Sequence, residues 1–132
     1  MNDSAERELQ FSEFVRWVDD NIKGDEKGES YIFLDRFFQG LGHKGCLDVG
    51  GTPEYRVKKS IEDGGGTSFA DYVWKPHVLI EMKKRGTKLG QHLQQARNYW
   101  MRLAPDRPRY VILCNFDEFW ICLLYTSPSP RD

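Results

Sequence analysis

The stretch Phe69-Ala70-Asp71-Tyr72-Val73-Trp74-Lys75-Pro76-His77-Val78-Leu79-Ile80-Glu81-Met82-Lys83 decides the fold of this chain. Apolar and β-branched runs on either side of a proline predict two strands joined by a turn. Because side chains alternate along a strand, Glu81 and Lys83 share one face of the second strand. Charges on an apolar hairpin are costly to bury without a partner. A divalent cation such as Mg²⁺ is one partner that suits two carboxylates, here those of Asp71 and Glu81.

The length of the turn decides whether the two carboxylates meet. A two-residue loop would put Asp71 and Glu81 on opposite faces of the hairpin, because a shift of one residue moves every side chain to the other face. A three-residue loop centred on Pro76 would pair Trp74 with Val78 and put Asp71 opposite Glu81. We predict this second arrangement, or a bulge that restores it.

Composition and charge are those of one small domain with a basic half. The chain has 132 residues, of which 39% are apolar and 30% charged, so its core must be small. Residues 1–30 hold nine acids against four Lys/Arg, whereas residues 75–109 hold nine Lys/Arg against two acids. Such an excess of positive charge is typical of a surface that binds a polyanion. A solvated helix face is the alternative.

Cysteine usage predicts a cytoplasmic protein. Cys46, Cys114 and Cys122 are widely spaced and form no C-x-x-C pair, which favours structural thiols in a reducing compartment over disulfides or a zinc site. The chain has no signal-peptide pattern and no apolar run long enough to span a bilayer.

The remaining elements predict an α/β domain. Apolar periodicity predicts helices over residues 5–22, 27–40 and 89–103. Strands are predicted over residues 55–59, 109–114 and 119–122. The predicted buried positions of the helices are Leu9, Phe11, Phe14, Val15, Val18 and Ile22; Tyr31, Phe33, Leu34, Phe37, Phe38 and Leu41; and Leu89, Leu93, Ala96, Trp100 and Leu103. This order predicts a mixed central β-sheet flanked by helices.

The last ten residues depart from this pattern. Residues 123–132 look like translated sequencing-adapter read-through, so we assign residues 1–122 to the domain and set the tail apart. We therefore expect the chain to be the truncated start of a longer protein.

Three further residues are candidates for the site. Gln95 and Tyr99 are four apart and share a helix face beside the apolar stripe. Glu29 lies in the first turn of the second helix. Each also has a structural alternative. Gln95 and Tyr99 could be ordinary packing residues, and Glu29 could complement the helix dipole.

Three motifs carry a resemblance to a known family. The chain resembles the PD-(D/E)xK nuclease superfamily, with its Q-x-x-x-Y helix, in three segments: Phe69-Ala70-Asp71, Glu81-Met82-Lys83 and Gln95-Ala96-Arg97-Asn98-Tyr99. More narrowly, about residues 8–122 resemble the N-terminal nuclease domain of MmeI-like type IIG/IIL restriction–modification proteins. Ala70 stands where the superfamily name has Pro, a departure that MmeI-like members share. The resemblance implies a restriction-endonuclease-like fold and a type II restriction endonuclease that hydrolyses phosphodiesters of double-stranded DNA.

The resemblance also implies roles for individual residues. Asp71 and Glu81 would hold Mg²⁺, helped by the Met82 carbonyl, with Glu29 as an additional acid. The implied catalytic residues are Asp71, Glu81, Lys83, Gln95 and Tyr99, and the implied DNA-backbone contacts are Lys84, Arg85 and Lys88.

In MmeI-like proteins the nuclease domain precedes an adenine-specific, S-adenosylmethionine-dependent DNA methyltransferase and a target-recognition region. This chain carries neither a Gly-rich cofactor loop after a strand nor an Asn-Pro-Pro-Tyr motif. We therefore expect S-adenosylmethionine only in the full-length protein. A non-catalytic DNA-binding or interaction module on the same fold is the alternative function.

Overall fold

The computed structural model describes residues 3–58 and 64–124, and all the predicted helices and strands are present in it. Of the segments predicted from the sequence, Lys59 and residues 125–132 lie outside the described residues. The elements are α1 (Asp3–Asn21), α2 (Glu26–Gly40), β1 (Thr52–Lys58), β2 (Thr67–Trp74), β3 (Val78–Met82), α3 (Leu93–Met101), β4 (Tyr110–Cys114) and β5 (Phe119–Leu123). The helix predicted over residues 89–103 begins as a 3-10 turn at Leu89–His92 and becomes α-helical at Leu93.

The strands form one mixed sheet in the order β1-β2-β3-β4-β5. All neighbouring pairs are antiparallel except β3 and β4, which are parallel. A parallel pair needs a crossover connection, and the segment containing α3 supplies it. All five residues of the central strand β3 are buried. The predicted α/β fold is confirmed, and the architecture is consistent with a restriction-endonuclease-like domain.

Helices cover both faces of the sheet. The helices α1 and α2 pack on one face with Val78, Ile80 and Met82, and α3 packs on the other with Leu79 and Val111. Aromatic rings join α2 to the β4–β5 hairpin: the centroids of Phe33 and Phe116 are 5.0 Å apart, and those of Phe37 and Phe119 are 4.9 Å apart. Because β3 is buried on both faces, any polar side chain on it must find its partner inside the protein.

The buried stripe of α1 is narrower than its periodicity predicted. Phe14, Val18 and Ile22 are buried, but Leu9 is 61% exposed and Val15 is 46% exposed. The helix packs chiefly on α2, so only a strip along one side is covered. Tyr31 and Leu41, predicted to be buried in the second helix, are likewise exposed.

The described helices were also searched for possible membrane spans. None of them is long and apolar enough to cross a bilayer.

Candidate functional site

The hairpin turn has the predicted length. Its loop is Lys75-Pro76-His77, and Trp74 pairs with Val78. The pairs Val73–Leu79 and Tyr72–Ile80 continue the same register. Asp71 therefore lies opposite Glu81, as the three-residue loop requires.

The two carboxylates are held by backbone hydrogen bonds that cross the hairpin. The amide of Asp71 donates to Oε1 of Glu81 at 3.1 Å, and the amide of Met82 donates to Oδ2 of Asp71 at 2.6 Å. Glu81 is only 4% exposed, and Asp71 is half-buried. Each carboxylate is thus oriented by the opposite strand, and the two lie side by side.

A local break in the sheet lies at Asp71. Regular alternation would put Ala70 and Val73 on opposite faces, yet both pack in the cluster beneath α3, whereas Tyr72 packs beneath α2. The β1 residue facing Asp71 in the register is Glu54, which has a φ of 50°. Such irregularities re-aim a side chain, and here the re-aimed side chain is a carboxylate.

The pair is electrostatically unfavourable without a cation or a proton. Burial raises the pKa of Glu81 well above its ordinary value, and the negative charge of Asp71 raises it further. Burial also raises the pKa of Asp71, while its hydrogen bond from the Met82 amide opposes the shift. The charge of Lys83 lowers the pKa of both carboxyl groups. Two like charges in contact cannot both ionise unless a positive charge compensates them.

The donor atoms fit a hard divalent cation. Within residues 3–58 and 64–124, no three His, Cys, Asp or Glu side chains converge so that they could hold a metal ion. Two carboxylates remain, and Mg²⁺ typically binds proteins through one or two carboxylates and completes its shell with water and phosphate oxygens.

Lys83, Gln95 and Tyr99 form a hydrogen-bonded chain beside the carboxylates. The backbone amide of Lys83 donates to the Cys114 carbonyl at 2.8 Å, which anchors Lys83 to β4. Its Nζ donates to Oε1 of Gln95 at 3.0 Å, and Nε2 of Gln95 lies 3.5 Å from the Tyr99 hydroxyl. The first turns of α3 therefore place Gln95 and Tyr99 against the end of β3.

Tyr99 links this chain to β2. Burial raises the pKa of Tyr99, a hydrogen bond with the Ser68 side chain opposes the shift, and the charges of Glu81 and Asp71 add to it. The structure thus brings together all five residues that the sequence predicted as catalytic, and it adds Ser68, which no sequence motif indicated.

Glu29, predicted as an additional metal ligand, directs its carboxylate to the turn that precedes α2, and its metal role stays a prediction. Its carboxylate accepts backbone hydrogen bonds from Lys23, Gly24 and Asp25 at 2.7–3.1 Å. These bonds lower its pKa. Glu29 therefore stabilises the turn that precedes α2, close to the dipole-related alternative that the sequence left open.

Glu26 is the acid of α2 that faces the site. Its negative charge raises the pKa of Asp71. Both residues line a cavity of about 680 Å³ between α2 and the β1–β2 ladder. Glu26 and Glu29 both lie in the first turn of α2, so the sequence offered no signal to choose between them. A more apolar cavity of about 500 Å³ lies between the two N-terminal helices and the sheet, and it contains none of the predicted site residues.

The three predicted DNA-contact residues differ in their surroundings. Lys84 and Lys88 are exposed. Arg85 binds two other parts of the protein. Its Nε is 2.9 Å from Oδ2 of Asp117, and its guanidinium donates to the Ile22 carbonyl at 3.0 Å. Arg85 therefore links the α1–α2 turn to the β4–β5 hairpin, and its role as a DNA contact stays a prediction.

Comparison with known proteins identifies a family. The family model described as "MmeI, N-terminal domain" matches residues 6–130. No curated protein and no solved structure matches the chain. The match continues beyond residue 122, where the sequence predicted the end of the domain, and that boundary stays a prediction. The family indicates a restriction–modification context. Because the match covers nearly the whole chain, the chain belongs to the family of MmeI N-terminal domains.

Proposed function

We propose that this chain is a Mg²⁺-dependent DNA endonuclease domain of a restriction–modification protein. One observation carries the proposal: Asp71 on β2 and Glu81 on β3 lie side by side in a buried hairpin, and Lys83 comes directly after β3. A buried pair of like charges lowers stability, so its presence across two neighbouring strands of the sheet is typical of a functional site.

The carboxylates would form the metal site. Asp71 and Glu81 would hold Mg²⁺, with the carbonyl of Met82 as a further oxygen donor. When bound, Mg²⁺ supplies Lewis-acid chemistry: it polarises the scissile phosphate and lowers the pKa of an attacking water. Glu26 adds a negative charge at the edge of the site and so strengthens its attraction for a cation.

Lys83 would act directly on the reacting groups. Its ammonium has three N–H donors, of which Gln95 accepts one. The two others have no acceptor in the described part of the chain. They would orient the attacking water and stabilise the charge that develops on the phosphate oxygens. Gln95 and Tyr99 hold the ammonium in place, so less reorganisation is needed during the reaction.

Double-stranded DNA would be the substrate, and Lys84 and Lys88 would contact its backbone without reading sequence. In a full-length protein of this kind, a following adenine-specific methyltransferase would use S-adenosylmethionine, and a target-recognition region would choose the site.

Nicking of supercoiled plasmid tests the proposal. The parent chain should nick DNA only with Mg²⁺, and Lys83→Ala should lower the rate about 100-fold or more, because a preorganised charge is lost. Lys44→Ala removes an exposed lysine from the loop after α2 and should nick like the parent.

Two results would contradict the proposal. Equal nicking by the parent and Lys83→Ala would remove Lys83 from the mechanism. DNA binding without Mg²⁺-dependent nicking would favour a non-catalytic module on the same fold. As a check on the metal site, Mg²⁺ should raise the melting temperature of the parent but not that of Asp71→Asn/Glu81→Gln.

A further inference from the structure

A further concave surface lies at the outer edge of the sheet. It is a cavity of about 360 Å³ between β1 and the residues that follow α3. Its lining includes four cationic residues, Arg56, Lys58, Lys75 and Arg102, and no Asp or Glu among the described residues. We call this surface the basic groove.

Three of the four cationic residues of the groove have no acidic partner among the described residues. Within residues 3–58 and 64–124, Arg56, Lys58 and Lys75 form no ion pair. Lys75 Nζ lies 5.1 Å from the centroid of the Tyr55 ring, and Arg56 lies 5.9 Å from that of Phe69. A ring contact uses no N–H donor, so these side chains keep their donors for an anion.

The groove lies one strand away from residues of the carboxylate site. Val57, which also lines it, pairs with Ser68 on β2. Ser68 is hydrogen-bonded to Tyr99, and the charges of Asp71 and Glu81 raise the pKa of the Tyr99 hydroxyl. The groove therefore begins about one strand away from the hydrogen-bonded chain that holds Lys83.

The spacing of the cations suits a nucleic-acid strand. Arg56 and Lys58 are two residues apart on β1, which separates them by about 6.8 Å. Neighbouring phosphates of one strand are separated by a distance of the same order, so the two side chains can reach neighbouring phosphates. Two aromatic rings lie beside these cations, Tyr55 next to Lys75 and Phe69 next to Arg56. Aromatic rings beside cations are also found on surfaces that follow a nucleic-acid strand.

We propose that the basic groove binds the phosphodiester backbone of DNA next to the phosphate that is cleaved. This inference rests on the proposed nuclease function and extends it by naming the residues that hold the flanking DNA. Contacts to phosphate position the duplex and carry no sequence information. The groove should therefore contribute affinity equally to DNA of any sequence.

Salt-dependent DNA binding tests the proposal independently of cleavage. The full chain is compared with Arg56→Gln/Lys58→Gln/Lys75→Gln, with EDTA present, on two duplexes of unrelated sequence. The slope of log affinity against log salt should become shallower by about two to three, because each lost phosphate contact contributes about 0.9. The loss of affinity should be the same for both duplexes.

A matched variant controls for net charge. Arg7→Gln/Arg16→Gln/Lys44→Gln removes three exposed positive charges from α1 and the loop after α2. It should keep the salt slope of the parent. Equal melting temperatures would exclude unfolding as the cause of any difference.

The outcomes separate this inference from the nuclease proposal. A shallower slope in the groove variant, without Mg²⁺-dependent nicking by the parent, supports the groove and overturns the nuclease. An unchanged slope overturns the groove, even if nicking remains intact. An unchanged slope with lower solubility would indicate that the cations protect edge strand β1 from aggregation. Unequal losses on the two duplexes would indicate base contacts and overturn a backbone-only role.

Discussion

Glu81 places a carboxylate at the centre of the sheet, where an apolar residue would stabilise the fold better. Its side chain is 4% exposed and lies against a second carboxylate. One backbone hydrogen bond from Asp71 cannot offset both burial and repulsion, so its pKa is raised. The residue therefore costs stability at neutral pH until a cation or a proton compensates its charge.

This cost predicts a pH dependence of stability. Because the pKa of Glu81 is raised in the folded state, the stabilisation from its bound proton is full below the unfolded pKa near 4.5. That stabilisation is lost as the pH rises through the folded pKa. The side chain of Glu81→Gln does not titrate. The melting temperature of Glu81→Gln minus that of the parent should therefore increase from pH 5 to pH 8. Thermal melts without divalent ions measure this difference in melting temperature. A difference that stays constant with pH would contradict the raised pKa of Glu81.

Among the elements, α2 depends on the turn before it. The side chain of Asp25 accepts from the Lys27 amide at 3.2 Å and caps the helix. The carboxylate of Glu29 reaches back to the amides of the same turn. Together they hold the start of α2, and with it Glu26, beside Asp71.

Glu29→Gln should therefore destabilise the protein, by up to about 1 kcal/mol near neutral pH, since the half-buried carboxylate is partly screened by solvent. The pKa of Glu29 is lowered, so its contribution is present above the unfolded pKa near 4.5 and is lost as the pH falls through the folded pKa. Glu26→Gln is the matched control and should change stability by less than about 0.5 kcal/mol. Urea denaturation at pH 7 and pH 3 measures both, and equal effects of the two variants would contradict the assignment.

The same turn passes close to Arg85. Gly24 has a φ of 100°, and a Cβ built on it would lie 2.4 Å from Cβ of Arg85. Gly24→Ala must therefore strain the backbone and displace Arg85, at a cost of about 2–4 kcal/mol. Gly64 has a φ of 94° but nothing within 4 Å of the added methyl group. Gly64→Ala should cost only about 1–2 kcal/mol in urea denaturation; equal losses would mean that the contact with Arg85 relaxes freely.

For the whole molecule, stability depends on a sheet covered on both faces. Leu79 on β3 is fully buried, whereas Leu9 on α1 is 61% exposed. Leu79→Ala should cost about 2–5 kcal/mol, because it opens a cavity at the centre of the domain. Leu9→Ala removes the same atoms and should change stability by less than about 0.5 kcal/mol. The two unfolding free energies compare these sites directly, and similar losses would contradict the narrow buried stripe of α1.

Much of the fold and of the site could be predicted from patterns among residues that are close in the sequence. Alternation along the strands and the three-residue loop at Pro76 are local properties, so they predicted that Asp71 meets Glu81. Helical spacing likewise put Gln95 and Tyr99 on one face, next to the stripe that packs on the sheet. Each of these inferences involved residues that are close in the chain.

Pairings between distant segments were decided only by the tertiary structure. Arg85 was predicted to contact DNA because it belongs to a basic run, but packing brings it to the carbonyl of Ile22, 63 positions away. Glu26 and Glu29 differ by less than one helical turn, and only the placement of α2 on the sheet decides which one faces Asp71. The sequence by itself determined the hairpin and the residues on each of its faces, because turn length and side-chain alternation are short-range. The tertiary structure decided which charges meet, because those contacts depend on how the elements pack.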